Sequence, residues 1–162
     1  MMSCRRIHCT LVALLVSVLL VAQSGVLTVQ KSTVTFQSLA PLERIVAESN
    51  QAAGVLDIDK RTFAIRVHMR TFNGFNAPLQ QEHFNENYVE SVKNPFSMFE
   101  GRIIEACDLR VPGTYQVRAK GNFTVHGVPR ERIIPCTITV TKDAVRVVSE
   151  LDVPLAEYGI RI

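Results

Sequence analysis

Residues Tyr115 to His126 read YQVRAKGNFTVH, and their alternation decides the fold class. Tyr115, Val117, Ala119, Gly121, Phe123 and Val125 fall on one face of an extended chain. Gln116, Arg118, Lys120, Asn122, Thr124 and His126 fall on the other. Side chains of a strand point alternately to opposite faces, so this register describes a long strand with one wet side and one buried side. The same period returns on either side of it. Phe63, Ile65, Val67 and Met69 alternate with Ala64, Arg66, His68 and Arg70, and Ile134, Cys136, Ile138 and Val140 with Pro135, Thr137 and Thr139. Val145, Val147, Ser149 and Leu151 oppose Arg146, Val148 and Glu150. Weaker extended segments lie around residues 34–38, 44–48 and 52–58.

Turn residues punctuate these runs. Pro112-Gly113, Gly127-Val128-Pro129 and Lys142-Asp143 fall where hairpins should reverse, which makes an antiparallel meander. Strands apolar on one face must curl over a core or pack on a second sheet. One segment breaks the period. Phe84, Tyr88 and Val92 recur every four residues with Val89 beside them, while Glu82, Glu86 and Glu90 form a separate stripe. That spacing predicts one amphipathic helix over residues 77–93, with Asn76 as N-cap and Asn94-Pro95 as its stop. Lying across an open end of a barrel would suit it.

Composition and charge narrow the class. The chain has 162 residues, enough for one domain with a sizeable core. Hydrophobic residues at 47% and charged residues at 20% exclude both a disordered chain and a multispan membrane protein. The first 24 residues read as a secretory signal. Arg5 and Arg6 form its basic start, Thr10 to Ala22 (TLVALLVSVLLVA) its apolar core, and Ala22-Gln23-Ser24 its cleavage site. The alternative is a retained anchor, but the apolar run is about 13 residues and a spanning helix needs roughly 18 or more. The mature domain is then 25–162, in the periplasm or secreted. Losing Arg5 and Arg6 takes the formal charge from +3 to +1, which offers no electrostatic footprint for nucleic acid. Cys107 and Cys136 remain. An exported even pair suggests a disulfide, yet a strand should separate them, so two thiols are an equal reading.

A family resemblance follows from three ordered motifs. NAPLQQEHFNENYVESVKNPFSMFEG, from Asn76 to Gly101, is similar to the helix and following strand of the YceI-like, lipocalin-like polyisoprenoid-binding proteins. GTYQVRAKGNFTVHGVPRERIIPCTITV, from Gly113 to Val140, resembles that family's H-G-V hairpin, and Glu157-Tyr158-Gly159-Ile160 its D-Y-G-I motif. The family usually carries one further strand beyond that motif, which the sequence to Ile162 does not contain. The resemblance implies an antiparallel β-barrel of about eight strands around a hydrophobic tunnel, able to hold a polyprenyl lipid or quinone tail.

The lining expected on that reading is Phe63, Ile65, Val67, Met69, Tyr115, Val117, Phe123, Ile134, Ile138, Val140, Val145 and Val147, with Phe84 and Tyr88 closing the mouth. Each methylene of a chain buried there is worth about 0.8 kcal/mol. Ordinary core packing remains the competing reading for each of these residues, because interiors are close-packed. His68, His83 and His126 sit on three elements with no carboxylate or Cys at ligand spacing, so no metal is expected. The carboxylates Asp57, Asp59, Glu82, Glu86 and Glu90 read as turn or solvent-face residues. No G-x-S-x-G, glycine-rich phosphate loop or H-E-x-x-H occurs. The expectation is therefore a non-enzymatic binder of an apolar small molecule or lipid, without a resident cofactor and open to transient membrane contact. A structural module with a filled core is the alternative, and an enzyme on the same scaffold the third. Ligand identity and oligomeric state are not readable.

Overall fold

The structure, a computed structural model, describes residues 25–40 and 43–161. The leader read from residues 1–24 lies outside them. Among the described residues the strands are β1 (Val26–Thr28), β2 (Val34–Ala40), β3 (Glu43–Ser49), β4 (Ala53–Asp57), β5 (Thr62–His68), β6 (Phe96–Ile103), β7 (Gly113–Val125), β8 (Val128–Val140) and β9 (Val145–Ser149). Seven form one antiparallel sheet in the order β1-β4-β5-β6-β7-β8-β9, and β2 pairs with β3 as a separate hairpin. The large sheet curls into a half-barrel. The all-β class expected from the alternation and the lipocalin-like architecture implied by the family resemblance are what the described residues adopt.

β7 and β8 carry the architecture. They are in register from Gly113↔Val140 to Val125↔Val128. The turn between them is the two residues His126 and Gly127, at φ 51° and 71°. Positive φ at both positions gives a turn whose twist matches that of the strands, and only glycine takes it without strain. The reversal therefore comes one residue earlier than the expected Gly127-Val128-Pro129, and Val128 and Pro129 belong to β8. In a two-residue hairpin the closing pair exchanges hydrogen bonds, and the pattern then alternates. Odd residues of β8 consequently face away from β7, toward β9. The β9 pairing begins only at Cys136↔Ser149. Pro129 and Pro135 thus put their missing N–H groups on an uncovered edge, where they interrupt it.

The expected reversal at Pro112-Gly113 is instead a loop over residues 104–112, whose Leu109 is buried at 2% exposure. Glu105 closes that loop onto β7: its carboxylate accepts from the Arg118 backbone N–H (2.6 Å) and from Arg118 Nε (2.7 Å).

The helix differs most from expectation. α1 spans Pro78–His83 with Ala77 at its N-cap, and a wider helical turn continues over Phe84–Tyr88. Asn76 instead donates its backbone N–H to Gln80 Oε1. In the wide turn Val89 N–H reaches back five residues to Phe84 O (3.0 Å). Such a turn inserts one residue into the helical repeat. It rotates Val89 into the core at 4% exposure and leaves Val92 outside at 77%, so Val92 is not on the buried face. Glu90, at φ 46°, ends the helical path well before Asn94-Pro95. Glu90 also leaves the expected solvent stripe. Its Oε2 lies 2.7 Å from His126 Nε2, and the other ring nitrogen is 3.0 Å from Tyr158 O. His126 thereby ties the helix end, the β7–β8 hairpin and the C-terminal segment together. The Glu90 carboxyl is held below its ordinary range by Lys93 first and His126 second.

Candidate ligand-binding face

Cross-strand partners in an antiparallel sheet point to the same side. The register therefore maps the inner face of the half-barrel directly. One row across the sheet is Leu56, Phe63, Gly101, Gly121 and Arg132, and the next is Ile65, Phe99, Phe123 and Arg130. Toward one end follow Ala119 and Ile134, then Val117, Cys136 and Ser149, then Tyr115, Ile138 and Val147.

The expected lining residues on the strands fall on this face, whereas Met69, Phe84 and Tyr88 lie on helical turns outside the sheet, and together they do not form one tunnel. Val117, Ile134, Ile138 and Val140 are buried in a cluster with Ile103, Leu109, Ala119 and Cys136, against which Phe63, Tyr115 and Val145 pack. Val67, Met69 and Phe84 belong to a second cluster, with Ala47, Phe72 and Val89, where the helix meets the β2–β3 hairpin. Phe123 and Tyr88 pack on a third, formed by Val125, Tyr158 and Ile160. Ile65 and Val147 stand in none of them, at 38% and 52% exposure. Val147 shares its face with the fully buried Ile138, yet among the described residues β9 is the last strand of the sheet. Among the described residues the inner wall ends at β9, which leaves Val147 exposed.

Three aromatic contacts connect the first cluster to the third. Phe63 and Phe99 have ring centres 4.8 Å apart, Phe99 and Phe123 6.1 Å, and Phe123 and Tyr158 6.0 Å. The three phenylalanines are half-buried, whereas Tyr158 is completely enclosed. Beside this row lies a floor without side chains. A Cβ on Gly121 would meet the Glu100 carbonyl and approach Gly101 Cα to 2.8 Å, so strands β6 and β7 come together here more closely than any other residue allows.

The far wall is polar. Arg132 faces inward opposite Gly121, with its guanidinium carbon 5.6 Å from the centre of the Tyr158 ring and Nη2 2.5 Å from Glu157 Oε2. Glu157 raises the Arg132 guanidinium pKa, with a smaller contribution from Tyr158. Arg130 Nε donates to Glu157 O (3.0 Å), which straps the C-terminal segment across the hairpin. The Tyr158 hydroxyl is buried with no hydrogen-bond partner among the described residues.

Sequence reasoning named Phe63 and Phe123 but passed over Phe99, Tyr158, Arg130 and Arg132. PRER, from Pro129 to Arg132, has no apolar alternation. Only the pairing of β8 with β7 shows that its two arginines face inward. Phe99 was reachable, since Phe99 and Gly101 alternate with Met98 and Glu100.

Other candidates sit apart from this face. His68 Nδ1 accepts from Arg70 N at 3.2 Å, and His83 is exposed on α1. No group of three His, Cys, Asp or Glu among the described residues could hold a metal ion. Cys107 and Cys136 are free thiols, both pushed up in pKa by burial. Two concavities among the described residues are open grooves. One is a polar groove of about 380 Å³ along α1, and the other, of about 470 Å³, lies beside Val55, Ile65 and Met98.

A curled antiparallel half-barrel with an apolar inner face defines the class as lipocalin-like. Residues 26–162 match the YceI-like domain family, and the chain belongs to it. Among solved structures, a polyisoprenoid-binding domain from Saccharophagus degradans is similar at 11% identity and TM-score 0.62. That match covers 85% of this chain and 78% of the other. A Campylobacter jejuni YCEI protein matches at 11% identity and TM-score 0.50 over 93% and 80% of the two chains. BcnA of Burkholderia cenocepacia matches at 11% and 0.50 over 80% and 69%. At such identities these likenesses show the shared fold. Among curated proteins none matches the chain.

Proposed function

We propose that this protein is an exported, non-catalytic carrier that holds an isoprenoid chain, such as a quinone tail or other apolar lipid, against the inner face of its half-barrel. The observation that carries the reading is the row of half-buried rings Phe63, Phe99 and Phe123 over the Gly101–Gly121 floor. A wall of half-buried aromatic rings beside a side-chain-free floor offers apolar area to a branched chain at little cost in reorganisation. Membership of the YceI-like family supports it, as does the name of the similar polyisoprenoid-binding domain from Saccharophagus degradans. Export rests on the basic and apolar leader of residues 1–24.

The alternative, a structural module with a filled core, draws on the first cluster, where Ile138 is 1% and Leu109 2% exposed. Thermal unfolding with added lipid separates the two. Ligand at a hundredfold its dissociation constant stabilises by about 2.7 kcal/mol. For a chain of this size that is a rise of about 5–10 °C in Tm. An unchanged midpoint with prenyl quinones, prenyl alcohols and squalene alike leaves the filled-core module.

A further inference from the structure

We infer that two copies of this chain pair antiparallel through the free edges of their β9 strands, with Val147 of each opposite Ser149 of the other. Dimer formation through this edge needs no bound lipid. Among the described residues the sheet ends at β9, whose one neighbour is β8. Thr141 N–H donates to Ala144 O across the β8–β9 turn (2.9 Å), and this sets the alternation of the ladder. Thr139 and Thr137 exchange hydrogen bonds with Arg146 and Val148. The backbone N–H and C=O groups of Val145, Val147 and Ser149 therefore point outward in the plane of the sheet. Such edges are templates for another chain and are usually blunted. β1, at the other edge of the sheet, is only three residues long, and Pro129 and Pro135 interrupt the uncovered part of β8. β9 reads VRVVS, with no proline and no lysine, and it exposes Val147 at 52% and Val148 at 51% on its two faces.

Charge selects both the occupant and the register. Arg146, Val148 and Glu150 share the outer face, and both charges are exposed with no ion-pair partner among the described residues. Opposite charges four residues apart on one strand complement themselves when a second copy of the strand runs antiparallel. Only outward-pointing residues can face each other as hydrogen-bonded pairs, so the two-fold axis must pass through a residue of β9 and not between two. Centring on Arg146 sets the two arginines against each other. Centring on Val147 sets Arg146 against Val148, and centring on Ser149 sets Glu150 against Val148. Centring on Val148 instead places Arg146 of each copy opposite Glu150 of the other, with the two Val148 side chains between the ion pairs. The same axis keeps the inner faces of both half-barrels on one side, so Val147 gains Ser149 of the second copy as its neighbour and the inner wall continues across the junction.

The test is sedimentation velocity of the mature protein across the micromolar range, where the paired edges predict a monomer–dimer equilibrium. Arg146→Glu brings two pairs of like charges together and should weaken the dimer about tenfold. Adding Glu150→Arg to it should restore the wild-type dissociation constant, with the charges exchanged. Val147→Pro removes an outward N–H that β8 does not use, so it should abolish the dimer and leave the monomer folded. Circular dichroism melts check the fold of each variant, and if Val147→Pro does not fold, the charge exchange alone decides. A monomer at every concentration overturns the proposal. A dimer that Arg146→Glu and Val147→Pro both leave at wild-type strength uses another surface and overturns it as well. A charge-exchanged double variant as weak as Arg146→Glu alone overturns the register that sets Val147 against Ser149.

Discussion

Replacing Gly121 by Ala adds one methyl group where the sheet has no room for it. The new Cβ would lie against the Glu100 carbonyl oxygen, 2.7 Å from its carbon and 2.8 Å from Gly101 Cα. Carbon atoms rest at about 3.5–4.0 Å, so β6 and β7 would have to part by about 0.7 Å or more. These strands are paired on both sides within the sheet, and neither can move alone. Overpacking of this kind costs about 1–3 kcal/mol, against a gain of about 0.4–1 kcal/mol from a less flexible unfolded chain. The net expectation is a loss of about 1–2 kcal/mol, read as a lower urea midpoint at unchanged slope. Gly113→Ala is the matched control. There the added Cβ meets only the Tyr115 ring at 3.6 Å, an ordinary contact, so the same chemical change should be neutral or mildly stabilising. If Gly121→Ala proves as stable as Gly113→Ala, the close approach of β6 and β7 is not what shapes the inner face.

Four further outcomes follow from the packing. Val89→Asp should severely destabilise the fold and Val92→Asp should leave it within about 0.5 kcal/mol, since only the first is buried; circular dichroism melts of both variants decide between the wide turn and a regular helix. Ile138→Ala should cost about 2–5 kcal/mol in chemical denaturation, because its side chain is 1% exposed at the centre of the first cluster. Thiol labelling of the mature domain should modify Cys107 in the native state and Cys136 only on unfolding, since burial raises the Cys136 pKa and blocks access; a reducible disulfide, seen as a mass two hydrogen atoms lighter, would contradict it. The Glu105 carboxyl is lowered by the Arg118 backbone N–H first and its side chain second. Its folded pKa lies below the unfolded one, so its contribution is present above about pH 4.5 and is lost as pH falls through the folded value. A Glu105→Gln variant should therefore lose less stability than wild type on acidification below that point.

The fold was legible because β7 alternates for twelve residues, and its register then fixes which face its neighbours turn inward. The helix was only half legible. Phe84 to Val92 fits a four-residue repeat, but hydrophobic spacing cannot reveal a five-residue hydrogen bond that exchanges Val92 for Val89. The apolar half of the inner face could be read from alternation, as Phe63 and Phe123 show. Its polar half could not. Arg130 and Arg132 look like a solvated charge run until the hairpin turn at His126-Gly127 sets their parity. Tyr158 stood out in the sequence only as part of the Y-G-I motif, and its enclosure comes from a segment more than thirty residues from its ring partner Phe123.

The most direct test of lipid carriage is native mass spectrometry of the protein purified from its own host without detergent, alongside an organic extract of the same sample. The expected result is a stoichiometric adduct that extracts as a prenyl quinone or another isoprenoid. A clean apoprotein mass, with no isoprenoid in the extract and no uptake of added prenyl lipid, would contradict it.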